Sequence, residues 1–445
     1  MALYGFKRGF GATMTAFPSI FRVRQSFEAP RVVDISGEVR AQLGKLQLER
    51  KIKPGQSVAI TVGSRGIANI HLITKAIVDH VKQLNAKPFL VPAMGSHGGG
   101  TAEGQRQVIE SYGVTEAFCG CPIRASMETV VVCQTAEGFD VHFDRHAYGA
   151  DHVIVANRVK PHTGFVGDIE SGLMKMMLIG LGKHSGAKIY HRAIQDYSFG
   201  QIVRSVAGQV LESCHIVAGL AIVENPYDET AYIEGVAPAE FESREKELLI
   251  RAKKLLPRLP FDRVDLLVID EIGKNVSGTG MDTNVIGRKF HPHQSASNEF
   301  PKVKNILIRG LTEATHGNAT GIGLAEFCTT RAIAQANIEA TRINCLTGGH
   351  SPAAMMPLDY ASDRGMIEAA LPTIGMIEPA DAKLIWIRNT LDLREVECSR
   401  AYLDEARGRS DLEILCGPRP LPFDAAGNLP GDGVHALEVP TAATV

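Results

Sequence analysis

Residues 152–175 read HVIVANRVKPHTGFVGDIESGLMK, and this stretch decides the fold class. After His152 it opens on a short apolar run, VIVA at 153–156, as expected of a strand buried in a layered sheet. The run then breaks into KPHTGF at 160–165, where Pro161 fixes its own φ and holds Lys160 extended. A histidine thus follows a buried strand and precedes a glycine. The same grammar occurs twice upstream. SVAITV at 57–62 ends in GSRG at 63–66, and PFLVP at 88–92 ends in MGSHGGG at 94–100. Ile70, Ile73, Ala76, Ile77 and Val81 recur at helical spacing after the first loop, and a helix is expected to start near Thr101 after the second. TVVVC at 129–133 and the residues 139–143 are expected to pair as strands. Strand, glycine-rich loop and helix in repetition predict an α/β fold, a sheet with helices on its faces. Ligands in such folds sit at the carboxyl ends of the strands. Arg65, His97 and His162 all fall there.

A second unit is expected from about Phe261. A highly charged helix over 242–258 runs out at Pro257 and Pro260, and a buried strand, DLLVID, follows at 265–270. That strand leads into the glycine-rich loop Gly273–Gly280. KNILIR at 304–309 and KLIWIR at 383–388 read as further strands, and 322–339 reads as helix. The expected organisation is two α/β domains, 1–260 and 261–420, each with a mainly parallel sheet flanked by helices, then a loosely ordered tail over 421–445.

Composition narrows the function classes. The 445 residues are 44% hydrophobic and 22% charged, enough apolar material for real cores. Forty-seven basic residues stand against 49 acidic ones, a balance that argues against nucleic acid as the main partner. Eight cysteines are scattered, and Cys119-Gly-Cys121 lacks the usual zinc spacing, so buried thiols in a reducing compartment are expected. No run of 18 apolar residues exists to span a membrane, and the basic N-terminus lacks a continuous apolar core for a signal peptide. A cytoplasmic location is expected.

Two histidines at strand ends, His97 and His162, suit general acid/base work because imidazole titrates near neutrality. Lys175 stands in an apolar stretch, where desolvation makes an amine nucleophilic; the alternative is a lysine that snorkels to solvent. Lys183-His184 and Tyr190-His191-Arg192 add two further histidines, each a metal ligand or a surface residue.

Taken together, GSRG at 63–66, GSHGG at 95–99, KPHTGF at 160–165, SGLMK at 171–175 and His191 sixteen positions after the lysine resemble the lactate racemase family. The resemblance implies a nickel-pincer nucleotide joined covalently to Lys175, with His191 rather than His184 as the protein ligand of nickel. It implies His97 and His162 as the acid/base pair. Ser64 and Arg65 would contact the cofactor, and Arg65 with Lys274 would meet the substrate carboxylate. The first domain would bind cofactor and catalyse, the second would close on substrate, and the active site would lie in the cleft between them. The expected activity is inversion of C2 of a 2-hydroxy acid, including a sugar acid such as an aldonate, by reversible hydride transfer. Cofactor-biosynthesis enzymes would then be partners in maturation. Two other readings use the same residues: a divalent-metal hydrolase or lyase with His97, His162 and His191 as ligands, and a non-catalytic protein that binds a small acid.

Overall fold

The computed structural model describes residues 16–64, 66–194, 196–289 and 300–431. In chain order the strands are β1 (Ile20–Gln25), β2 (Ser57–Val62), β3 (Lys87–Pro92), β4 (Thr129–Gln134), β5 (Asp140–Asp144), β6 (His152–Arg158), β7 (Ile216–Glu224) and β8 (Thr230–Val236). There follow β9 (Arg263–Ile269), β10 (Lys302–Ile308), β11 (Phe327–Thr329), β12 (Leu358–Tyr360), β13 (Leu384–Ile387), β14 (Glu395–Ser399) and β15 (Leu412–Arg419). The chain forms two compact units. One is Phe27–Leu256; the other joins the residues before Phe27 to those from Pro257 onward.

The first unit holds a five-stranded sheet in the order β3-β2-β6-β7-β8, parallel except for the β7–β8 hairpin. Alternation along β2 explains why both faces are covered. Val58, Ile60 and Val62 enter one apolar cluster, while Ala59 enters the other. The helix Ile70–Gln83 covers the first face through Ile70, Ile73, Ala76, Ile77 and Val81. The helix Phe199–Ser213 covers the second through Ile202, Val203, Val206 and Val210. Ile77 is fully buried, so truncating it to Ala costs about 2–5 kcal/mol. β4 and β5 pair antiparallel as a separate ribbon.

The strand order places a topological switch between β2 and β6. From β2 the chain moves outward to β3, then returns past β2 to form β6. All three strands are parallel, so the loops after β2, β3 and β6 leave from one edge of the sheet. Such an edge is where α/β folds open a crevice for ligands.

The second unit holds an eight-stranded sheet in the order β12-β11-β10-β9-β13-β14-β1-β15. Its run from β12 to β13 is parallel and the remainder antiparallel. Three expectations are adjusted. First, residues 20–25, assigned by sequence to the domain 1–260, form β1 between β14 and β15 of the second unit. Second, 322–339 is not one helix. It holds the strand β11, the helix Thr330–Gln335 and the start of the helix Ile338–Thr347. Third, the segment expected to be loose from 421 is anchored through residue 429. Leu421 and Leu429 are buried in an apolar cluster with Trp386, and the Leu429 amide donates to Asp363 at 2.9 Å. No helix among the described residues is long and apolar enough to cross a membrane.

Candidate functional site

His162 sits on the loop after β6, and buried acid holds it there. The Glu170 carboxylate accepts the amides of His162 (2.7 Å) and Gly167 (2.9 Å), and Lys253 pairs with it at 2.6 Å. Asp168, two residues earlier, bonds Arg204 (2.6 Å) and Lys246 (3.0 Å), and the Arg204 guanidinium pulls its pKa down to about 2. The His162 ring stacks on Phe165 at 4.0 Å, and Phe165 stacks on Phe199 at 4.3 Å. The Gly164 amide donates to His162 Nδ1 at 2.9 Å, so the neutral ring carries its proton on Nε2.

Lys175 rises from a helical stretch that lies over the ends of β2 and β6. Asn157 on β6 donates to the Gly172 carbonyl at 2.8 Å. The helix Gly172–Lys175 widens into a π-turn at Met176–Gly180, a form that recurs at functional sites. Its N-terminus is capped by a residue far away in sequence. Glu245, fully buried, accepts the Met174 amide at 3.0 Å, and burial pushes its carboxyl up to about 8. Gly172 is required here: its φ is +80°, and a β carbon would stand 2.5 Å from the Glu245 carboxyl. Lys175 Nζ lies 5.8 Å from the centre of the Phe199 ring. Phe199 also meets Tyr190 edge-on at 5.7 Å, and Tyr190 touches its neighbour His191 at 5.2 Å. Lys175 and His191 are half-buried. One aromatic cluster, Phe165, Phe199 and Tyr190, therefore links His162, Lys175 and His191.

His97 is exposed on the loop after β3. Its Nδ1 is hydrogen-bonded to Ser64 Oγ on the loop after β2, and the Ser64 carbonyl accepts Tyr112 Oη at 2.7 Å. Two inter-strand steps separate the origins of the His97 and His162 loops, about 10 Å at the usual strand spacing. His184 belongs with the His97 loop, since a β carbon at Gly100 would lie 3.9 Å from its Nδ1. Arg65 lies outside the described residues. Lys274 lies in the second unit, where its Nζ donates to the Gly278 carbonyl of its own loop at 2.6 Å. Among the described residues no group of three His, Cys, Asp or Glu side chains could hold a metal ion. Phe199, Glu170 and Glu245 carry no local mark by which sequence reasoning could single them out; Phe165 stood in the KPHTGF motif without a role.

A parallel sheet with a switch point, glycine-rich loops on one edge, and histidines and a lysine above it define an α/β domain built to hold a small ligand. Residues 24–199 match the family model described as the lactate racemase N-terminal domain. Over these residues, about two fifths of the chain, it is similar to the lactate racemase family. Among solved structures it is similar to the lactate racemase apoprotein from Thermoanaerobacterium thermosaccharolyticum. The identity is 12%, the match covers 83% of this chain and 94% of that one, and the TM-score is 0.49. It is also similar to a protein from Thermotoga maritima, at 12% identity over 83% of this chain and 99% of that one, with a TM-score of 0.48. No curated protein matches the sequence.

Proposed function

We propose that the protein is an isomerase that inverts C2 of a 2-hydroxy acid, the sugar acids included, with a nickel-pincer nucleotide carried on Lys175. The observation that supports it most is the clustering of His162, Lys175 and His191 around Phe165, Phe199 and Tyr190. The residues fit the cofactor in their donor chemistry. A pincer ligand brings most of its own donors to nickel and asks the protein for one imidazole and one amine, which His191 and Lys175 would provide. When bound, that group supplies an acceptor and donor of hydride at C2.

The chain's own residues handle the proton. The hydroxyl proton of a 2-hydroxy acid must leave as C2 is oxidised, and a histidine Nε2 is the base for it. The product of that half-step is a flat 2-keto acid. Return of the proton on the opposite face needs a second group, and His97 and His162 stand on loops to either side of the β2 strand end. The Gly164 amide donates to His162 Nδ1, so the neutral ring carries its proton on Nε2 and is the proton donor of the pair. Ser64 Oγ can accept from His97 Nδ1, which makes His97 Nε2 the nitrogen that takes the hydroxyl proton. Ser64 and Arg65 are also assigned to the cofactor, and Arg65 to the substrate carboxylate.

The test is intact-protein mass spectrometry after co-expression with cofactor-biosynthesis enzymes, followed by an optical-rotation assay over a panel of 2-hydroxy acids. An adduct that maps to Lys175, with interconversion of one substrate pair, is the expected result. Interconversion without an adduct would overturn the covalent assignment, and an adduct-free protein that binds acids without turnover would make it a binding protein.

A further inference from the structure

Lys183 has no exposed surface, and burial pushes the pKa of its ammonium down. Its backbone stands at φ 53°, in the left-handed region that a β carbon disfavours. A buried charge on a strained backbone persists where the surroundings over-determine it. Here they do. Nζ lies 3.1 Å from the carboxylate of Asp144, which is equally buried and is fixed from its other side by capping the Ala147 amide at 2.9 Å. Nζ also donates to the Pro92 carbonyl at the end of β3, and to Gln105 Oε1 at 3.2 Å.

Gln105, itself fully buried, passes the connection on. Its Nε2 donates to the carbonyls of Gly95 (2.8 Å) and His97 (3.3 Å). These carbonyls belong to a loop in which Gly95, Gly98, Gly99 and Gly100 all have positive φ. Such a glycine run has little preference of its own for one conformation. Lys183 is also the first residue of the helix Lys183–Ala193 that carries His191, and it follows the π-turn after Lys175. One ammonium thus meets the strand before His97, the side chain under His97, and the joint between Lys175 and His191.

We propose that Lys183 is a positioning residue that fixes the His97 loop, through Gln105, to the helical joint between Lys175 and His191. The proposal rests on the reading of His97 as an acid/base group, but its test does not need the loaded enzyme. The ring-nitrogen NMR shifts of His97 and His162 are measured in the apoprotein, with amide exchange at Gly98–Gly100. Lys183→Met and Gln105→Leu are both expected to move the His97 shifts toward those of a freely tautomerising imidazole. Both should raise exchange at Gly98–Gly100 about tenfold or more and leave the His162 shifts in place. Lys183→Met strands a buried carboxylate, so Asp144→Leu/Lys183→Met is made as well; it removes both charges and keeps the apolar volume. A double variant that folds with a loosened His97 supports positioning. A double variant, or Gln105→Leu, with His97 unchanged overturns it, because the lysine would then act on stability alone. In the loaded enzyme Gln105→Leu should lower kcat and leave KM within about twofold. Absence of both the Lys175 adduct and interconversion would overturn the racemase reading and leave these apoprotein results standing.

Discussion

The loops that carry His162 and His97 are built on opposite plans. The His162 loop is clamped by side chains: Glu170 to Lys253, Asp168 to Arg204 and Lys246, and a ring stack through Phe165 to Phe199. The His97 loop is mostly glycine, is exposed, and is held by backbone carbonyls on one buried glutamine and by Ser64 on the ring. A clamped base keeps its geometry without ligand. A base on a glycine loop can tolerate a substrate entering beside it. In the proposed reaction, which runs on both faces of one carbon, the pair would combine one fixed wall with one adjustable one.

The largest effect tests whether the two loops are partners at all. His162→Ala and His97→Ala should each lower interconversion by about 10²–10⁴-fold, with the Lys175 adduct still formed. A variant that keeps full activity would remove that histidine from the acid/base pair and break the comparison at its base.

The clamp itself comes next. Glu170→Ala leaves the amides of His162 and Gly167 without their acceptor and removes the ion pair to Lys253. The expected cost is about 2–4 kcal/mol, read by urea unfolding. Limited proteolysis should then cut within 162–171 and spare the His97 loop. Equal protection of both loops would mean that Glu170 is not what distinguishes them.

Much of this architecture was legible in the sequence, and the rest was hidden for physical reasons. The strands β2, β3 and β6 are short apolar runs that end in glycine or proline, so their period and their loops announce them. β1 escaped because its partners, β14 and β15, lie at the other end of the chain, and pairing across such a distance leaves no local mark. The 322–339 segment failed for a related reason. Three residues, Phe327–Thr329, form a strand because β10 and β12 flank them, and tertiary context overrode helical spacing. As site candidates, His97 and His162 were singled out by their loops, and Lys175 and His191 by their setting and the family resemblance. Glu245 was not, since nothing in a charged helix separates the one acid that points inward from its solvated neighbours.

Glu245 gives a smaller effect and the clearest sign. Burial raises its carboxyl from 4.5 to about 8, so the folded chain holds a proton there that the unfolded chain releases. Stability from this group is fully present below pH 4.5 and is lost as pH rises through about 8. Glu245→Gln should fold at pH 7 and remove a slope of up to about 1.4 kcal/mol per pH unit within that window. A wild-type stability curve with no such slope would show that the carboxylate is already ionised against the amides of Leu173 and Met174.

The smallest effect belongs to Asp168, because it is half exposed and water screens its ion pairs. Its carboxyl is held at about 2 against an ordinary 3.8, chiefly by Arg204. The depressed value means that its contribution is present above pH 3.8 and disappears as pH falls through about 2. Asp168→Asn should therefore change stability at pH 7 by no more than about 1 kcal/mol. It should also make the unfolding curve slightly less sensitive to acid and to added salt. The informative reading is local. If amide exchange at Gly164 and Gly167 rises in Asp168→Asn while Gly98–Gly100 stay as they were, the ion pair is part of the His162 clamp. If both loops respond alike, Asp168 tunes the whole domain, and the rigidity of the His162 wall belongs to Glu170 and the ring stack.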